Sequence, residues 1–406
     1  MSGLLTDAAD LADDLVHLRR ALHREPEVGL HLPRTQERVL TELDGLGLDV
    51  RTGTALSSVV AVVRGVGGVG GVGDAAPGPT VLLRADMDAL PLTERSGVDY
   101  AATQPGAAHA CGHDLHVAML VGAARLLAAR RGRLAGDVVL MFQPGEEGHD
   151  GAAHMLREGL LDVTGRRPVA AYALHAAATT PAGALGNRPG PALAASATVT
   201  ITLHGRGGHG AWPHRSRDPI PAAAAIVTAL QTLVTRRFDV LDPVVVSVGS
   251  VHAGTGPTIV PETATIGATL RAFRGDTLTR LAASIREVAD GVAAAHGVTA
   301  EVSVVDGYPV TENDTAETAF VRDVVADLLG DDRVTPVEAA ALVSDDIGRV
   351  LAEVPGVMTS LGACPPGLDP TRVSGNHAPD ALFDDSVLAE GAALLAELAL
   401  RRTSTP

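Results

Sequence analysis

Five runs of mainly apolar, mostly β-branched or aliphatic residues, at 59–63, 81–83, 138–142, 169–174 and 357–361, constrain the fold more than anything else in this chain. A strand that is apolar on both faces has to be covered on both faces, which is the situation of a largely parallel sheet sandwiched by helices. Covering helices are at hand. One is predicted over about 7–24, with Leu11, Leu15, Leu18 and Leu22 on one face and a stop at Pro26; a second begins near Pro33 and ends around Gly45 and Gly47; a third covers about 114–131 and closes at Gly132; a last one spans about 384–401.

From about residue 197 the pattern changes. Residues 198–203 alternate Thr with Val, Ile and Leu, a helix follows Asp218-Pro-Ile-Pro221, and strand, strand, helix and strand patterns fall at 244–251, 263–273, 276–296 and 299–305. Strict alternation means one wet face, and the order βαββαβ is that of a ferredoxin-like split βαβ sandwich. The expected fold is therefore α/β: a catalytic domain with a mostly parallel central sheet, formed by residues 1–190 and 307–406, interrupted by a βαββαβ domain at 191–306. The length of 406 residues suits such a division.

Composition removes several classes of function. With 32 basic against 48 acidic residues the formal charge is −16, which repels nucleic acid and anionic lipid. All 32 basic residues are arginine, so lysine Schiff-base chemistry and a P-loop lysine are excluded. Two cysteines, Cys111 and Cys364, do not make a secreted disulfide scaffold. The first 20 residues lack the basic and apolar regions of a signal peptide, and the longest apolar run, 222–230, is half of the roughly 18 residues that span a bilayer. The sequence predicts a cytoplasmic protein without nucleic-acid or membrane partners.

The glycine run Gly65-Val-Gly67-Gly-Val-Gly70 fits the GxGxxG dinucleotide pattern, but no helix follows it; Asp74 to Pro79 leads into another strand, so a hairpin tip is the better reading. More is carried by the polar residues that end the apolar strands. The 81–83 run leads to Asp86 and Asp88, the 138–142 run to Glu146 and Glu147, and the 169–174 run ends in His175. In open α/β sheets the functional crevice lies at the carboxyl ends of the strands, so these groups converge. Cys111 and His113 sit one glycine apart before a helix, and His377 sits in a late loop. Thiolate, imidazole and carboxylate together are the donors used for zinc and related divalent ions, and five of them overfill one four-coordinate site.

These strings, Leu83-Arg-Ala-Asp-Met-Asp-Ala-Leu-Pro91, His109-Ala-Cys-Gly-His-Asp114, Phe142-Gln-Pro-Gly-Glu-Glu-Gly148, Leu174-His175, Gly207-Gly-His-Gly210 and Asn376-His-Ala-Pro379, run in the order found in di-metal amidohydrolases. The chain resembles the branch of the aminoacylase and carboxypeptidase G family that holds hippurate hydrolases, N-acyl-amino-acid amidohydrolases and auxin-conjugate hydrolases. The resemblance implies two divalent ions per subunit (zinc, manganese or cobalt), with Cys111, His113, Glu147, His175 and His377 as ligands and Cys111 bridging. It implies Glu146 as general base and Asp88 as the carboxylate behind the ligands that orients them. It also implies that the inserted domain is a lid through which a homodimer forms, that His209 reaches the partner's site to stabilise an oxyanion, and that Arg271 contacts the substrate carboxylate. The substrate implied is a small N-acyl amino acid.

Two positions depart from the family pattern. Thr258 stands where an Asn is usual before the Ile-Val-Pro261 string, and Val343-Ser-Asp-Asp346 replaces a Glu-Asp pair. Rival readings are dipeptide or carbamoyl-amide cleavage on the same scaffold and a non-catalytic metal-binding relative, against which Glu146 argues. A serine hydrolase lacks its GxSxG elbow. With 5 Phe, 3 Tyr and 1 Trp, an aliphatic acyl pocket is expected over an aromatic one. His116, His149 and His154 receive no role.

Overall fold

The computed structural model describes residues 3–66 and 78–404. Most of the glycine run, from residue 67 on, and the proposed hairpin tip lie outside the described residues. The chain divides into two compact units, Met1–Ala192 with Glu312–Ala339 and Asp346–Pro406, and Leu193–Thr311 with Ala340–Asp345.

The first unit is built on an eight-stranded sheet in the order Asp49–Thr52, Val59–Val63, Val138–Gln143, Thr80–Asp86, Pro168–Pro181, Gly356–Cys364, Leu185–Asn187, Val334–Pro336. Its middle, from Val138–Gln143 to Gly356–Cys364, is parallel. Every residue of Thr80–Asp86 and of Val138–Gln143 is buried, because helices lie on both faces. The helix His113–Ala129 is buried around nearly its whole circumference, and it packs on the C-terminal helix Val387–Ser404 within the same core.

Local differences from the sequence expectation have physical causes. The first predicted helix is two, Gly3–Asp10 and Ala12–Arg24, with a turn at Leu11. The third ends at Ala129, where Arg130 closes it, and Gly132 falls in a following 3-10 turn. The strand expected to end in His175 continues to Pro181, since its ladder with Gly356–Cys364 runs on past that point; His175 lies within the strand, not at its end.

The second unit carries an antiparallel four-stranded sheet in the order Val244–Ala253, Thr263–Ala272, Ala195–His204, Thr299–Asp306. Helices Pro219–Arg237 and Gly275–Ala295 complete the βαββαβ order. Val199, Ile201 and Leu203 face the core, while Thr198 and Thr200 are exposed, as the alternation requires. The segment Ala340–Asp345, expected with the returning half of the first domain, instead belongs to this unit: the Ala194 N–H donates to the carbonyls of both Ala341 and Val343 at 3.0 Å.

Candidate metal centre

Register brings the strand ends level. Asp86 lies opposite Gln143, and Arg84 opposite Ala173 two residues before His175, so residues far apart in sequence emerge along one edge. Two tight turns then aim the donors. Gly112 adopts φ 82 as the residue before helix His113–Ala129, and a Cβ there would lie 3.0 Å from Ala176 Cβ and 3.1 Å from Phe383 Cε1. Only glycine fits this close, left-handed turn, which presents Cys111 and His113 together. After the next strand, Glu146 opens a single helical turn in which Glu147 (φ −73, ψ 74) and Gly148 (φ 82) are non-helical, so the chain kinks between adjacent carboxylates.

Asp88 fixes that turn. Its Oδ1 accepts the Glu146 N–H at 2.9 Å and its Oδ2 the Glu147 N–H at 3.0 Å. The backbone carbonyl of Asp88 also accepts from His113 Nδ1 at 2.9 Å, which leaves Nε2 as the ring nitrogen available to a ligand. His175 donates Nδ1–H to the Ala176 carbonyl at 3.0 Å, and its Nε2 lies 3.6 Å from Cys111 Sγ. His377 sits in a loop at φ 70 with its backbone N–H on the Ala110 carbonyl, and its Nε2 is 3.1 Å from Glu147 Oε1.

Among the described residues, two of the donor sets whose ligand atoms lie within 4.8 Å of one another contain Cys111: Cys111, His113 and His175, and Cys111, Glu147 and His377. They share the thiol. Glu146 approaches the same place, its Oε2 4.0 Å from His113 Nε2.

The donors strongly perturb one another's protonation. Burial opposes ionisation of Cys111, yet His175 and His113 hold its thiol well below the ordinary value. Burial, with the Cys111 charge adding to it, pushes Glu147 up. The hydrogen bonds of Cys111 and Glu147 push His377 up to about 10. His113 is driven well above its ordinary value by Asp86 and Cys111 although burial opposes it. His113 Nε2 is moreover buried without a hydrogen bond. Sulfur, nitrogen and oxygen donors crowded together, one ring nitrogen buried without a partner, fit divalent ions.

Behind the donors lies a buried polar network that the sequence did not reveal as such. Arg84 donates Nε–H to Gln143 Oε1 at 3.0 Å and Nη2–H to Asp346 Oδ1 at 3.0 Å, and its Nη1 lies 2.6 Å from Asp86 Oδ2. Gln143 and the Ala152 N–H also donate to Asp346. The visible signal was an arginine and an aspartate inside an otherwise apolar strand, a pairing that burial demands. His116, left without a role, bridges Asp86 and the backbone of the His175 strand.

The remaining expected site residues lie in the second unit. His209 is exposed in a short strand opposite Ile259, its Nδ1 accepting the Ala211 N–H at 3.1 Å and its ring 5.3 Å from that of Trp212. Arg271 lies half-buried on Thr263–Ala272, donates to Thr269 Oγ1 and the Leu270 carbonyl, and has no carboxylate partner among the described residues. The Thr258 carbonyl accepts the Gly210 N–H at 2.8 Å.

The profile of peptidase family M20/M25/M40 matches residues 82–401. The chain belongs to this family. It is 37% identical over 398 residues to the IAA-amino acid hydrolase ILR1-like 2 of Arabidopsis thaliana, covering 97% of this chain and 86% of the relative. It is 32% identical over 407 residues to thermostable carboxypeptidase 2 of Saccharolobus solfataricus, covering 98% of each. Among solved structures, the Bacillus subtilis YXEP protein, described as a dinuclear metal binding peptidase of the M20 family, superposes with a TM-score of 0.82 at 28% identity, over 98% of this chain and 100% of that one. This M20 chain is thus a hydrolase of amide bonds, and its family assignment supports dependence on divalent metal.

Proposed function

We propose that this M20 hydrolase cleaves N-acyl amino acids to a carboxylate and a free amino acid, using two divalent ions. Cys111, His113 and His175 would hold one ion and Cys111, Glu147 and His377 the other. The observation that carries this reading is the pair of donor sets meeting at Cys111, with Glu146 beside them. Held there, two ions would supply a lowered pKa for a water and polarisation of the scissile carbonyl. The chain supplies the rest. Asp88 holds Glu146 and Glu147 through their backbones, so that Glu147 would serve as ligand while Glu146 would take the water proton and return it to the leaving amine. Arg271, without an acidic partner among the described residues, suits the substrate carboxylate, and His209 the developing oxyanion. In this reading the second unit also joins two copies into a homodimer. The thiolate favours zinc, while imidazole and carboxylate accept manganese or cobalt.

Amine release from N-acetyl, N-benzoyl, N-indolylacetyl and long-chain N-acyl amino acids, with chelator and then with each metal restored, tests the assignment. Chelator-sensitive release is expected. Release only from dipeptides would move it to the peptidase reading, which the carboxypeptidase relative favours. Light scattering on the intact protein reads the dimer.

A further inference from the structure

The strand that carries His175 outlives its neighbour. Thr80–Asp86 pairs with Pro168–Pro181 only as far as Arg84 opposite Ala173, so the edge of the strand beyond that residue loses its ladder on that side. On the other side Gly356–Cys364 continues to pair through His175 and Ala177. Backbone groups alternate between the two sides of a strand, and the Ala171 N–H donates toward the Gly356–Cys364 side, to Pro355. The even-numbered residues Ala176 and Ala178 therefore face the vacated edge.

Two side chains occupy that edge in place of a strand. His116 Nε2 accepts the Ala176 N–H at 2.8 Å, which puts the ring proton on Nδ1, where it is donated to Asp86 Oδ1. Asn376 donates Nδ2–H to the Ala176 carbonyl at 2.9 Å, and its Oδ1 accepts the Ala178 N–H at 3.0 Å. The same amide reaches the Cys111 carbonyl at 3.3 Å and Cys111 Sγ at 3.7 Å. The Ala176 carbonyl is also the acceptor that orients the His175 ring.

We propose that His116 and Asn376 are positioning residues that complete the open sheet edge and thereby fix His175 against Cys111. His116 is not itself a ligand, because both its nitrogens are engaged; Asn376 ties the Cys111 turn, the His175 strand and the His377 loop into one body. The role in metal binding rests on the two-ion reading above, while the role at the sheet edge does not.

The test uses the full chain and its variants His116→Phe and Asn376→Ala, with His116→Gln as the conservative replacement that keeps an acceptor for Ala176. Hydrogen exchange of the metal-free protein reads the edge. Slow exchange of the Ala176 and Ala178 amides in the parent, lost at Ala176 in His116→Phe and at Ala178 in Asn376→Ala and regained at Ala176 in His116→Gln, is expected. Zinc titration against a chromophoric chelator reads the centre: the parent holds two ions per chain, and each disruptive variant holds one of them about 10- to 100-fold more weakly. Unchanged amide exchange in folded variants overturns the proposal, as does retention of both ions at parental affinity. A parent that holds fewer than two ions overturns the two-ion reading instead, and the exchange data still decide the sheet edge.

Discussion

The carboxylate of Asp88 and the backbone of Glu146 meet at 2.9 Å, and the other Asp88 oxygen takes the next N–H, that of Glu147. One buried side chain thus sets two neighbouring carboxylates that are expected to do different work. In Asp88→Asn one of these acceptors becomes a donor facing a donor. Loss of about 1–3 kcal/mol of stability is expected, together with a fall of about 10- to 100-fold in metal affinity, read by thermal unfolding and by chelator competition.

Glu146→Gln separates proton transfer from metal binding. Turnover should fall by about 10²- to 10⁴-fold while the metal content per chain, measured by elemental analysis, stays that of the parent. Loss of metal along with activity would make Glu146 a ligand and refute its role as base.

At Gly112 a methyl group meets Ala176 and Phe383 in a backbone conformation that L-residues avoid. Gly112→Ala is expected to cost about 1–3 kcal/mol and to weaken metal binding, because the turn positions Cys111 and His113 together. A parental melting temperature and metal content would show that the turn yields without consequence.

Metal removal should lower stability by mass action, since the paired donors exist only in the folded chain. Scanning calorimetry should show the midpoint falling on chelation, rising with added zinc or manganese, and shifting further as the free ion concentration increases.

A second buried cluster predicts the acid limb of the stability curve. Burial would raise Glu94, but His23 Nε2 at 2.9 Å, the Ala102 N–H at 2.7 Å and the Ser96 hydroxyl hold it down at about 2. A carboxylate whose folded pKa lies below its unfolded value stabilises above the unfolded value and loses that contribution as pH falls through the folded one. Urea unfolding between pH 5 and 2 should show a rising limb with pH that flattens in Glu94→Gln. An unchanged slope in that variant would place the titration elsewhere.

The fold was legible where burial writes itself into the residues. Strands apolar on both faces announced the covered sheet, and the Thr alternation at 198–203 announced the half-wet one. What escaped was decided by distant partners. The strand holding His175 reads as ending there because the Ala-rich segment after it has little β propensity of its own; the distant strand Gly356–Cys364 carries it on, and His116 and Asn376 bond its other edge. Likewise nothing local in 340–345 marks its attachment to Ala194. In the candidate site the donors were readable as residue types, while Asp346, which closes the network around Arg84 and Gln143, acquires its meaning only from contacts across more than 190 residues.

His175 and His377 stand on supports of opposite kind. The first is woven into a strand bonded along both edges, and the second is an exposed side chain on a loop with a left-handed backbone, tied by its own N–H to Ala110 and by its neighbour Asn376 to the Cys111 turn. Unequal exposure gives unequal access to competing ligands. In the two-ion reading, the ion held by His377 and Glu147 would be the more exchangeable one, so a mild chelator should strip the protein to a half-loaded form. Refilling that form with a different cation is then a direct route to a heterobimetallic enzyme.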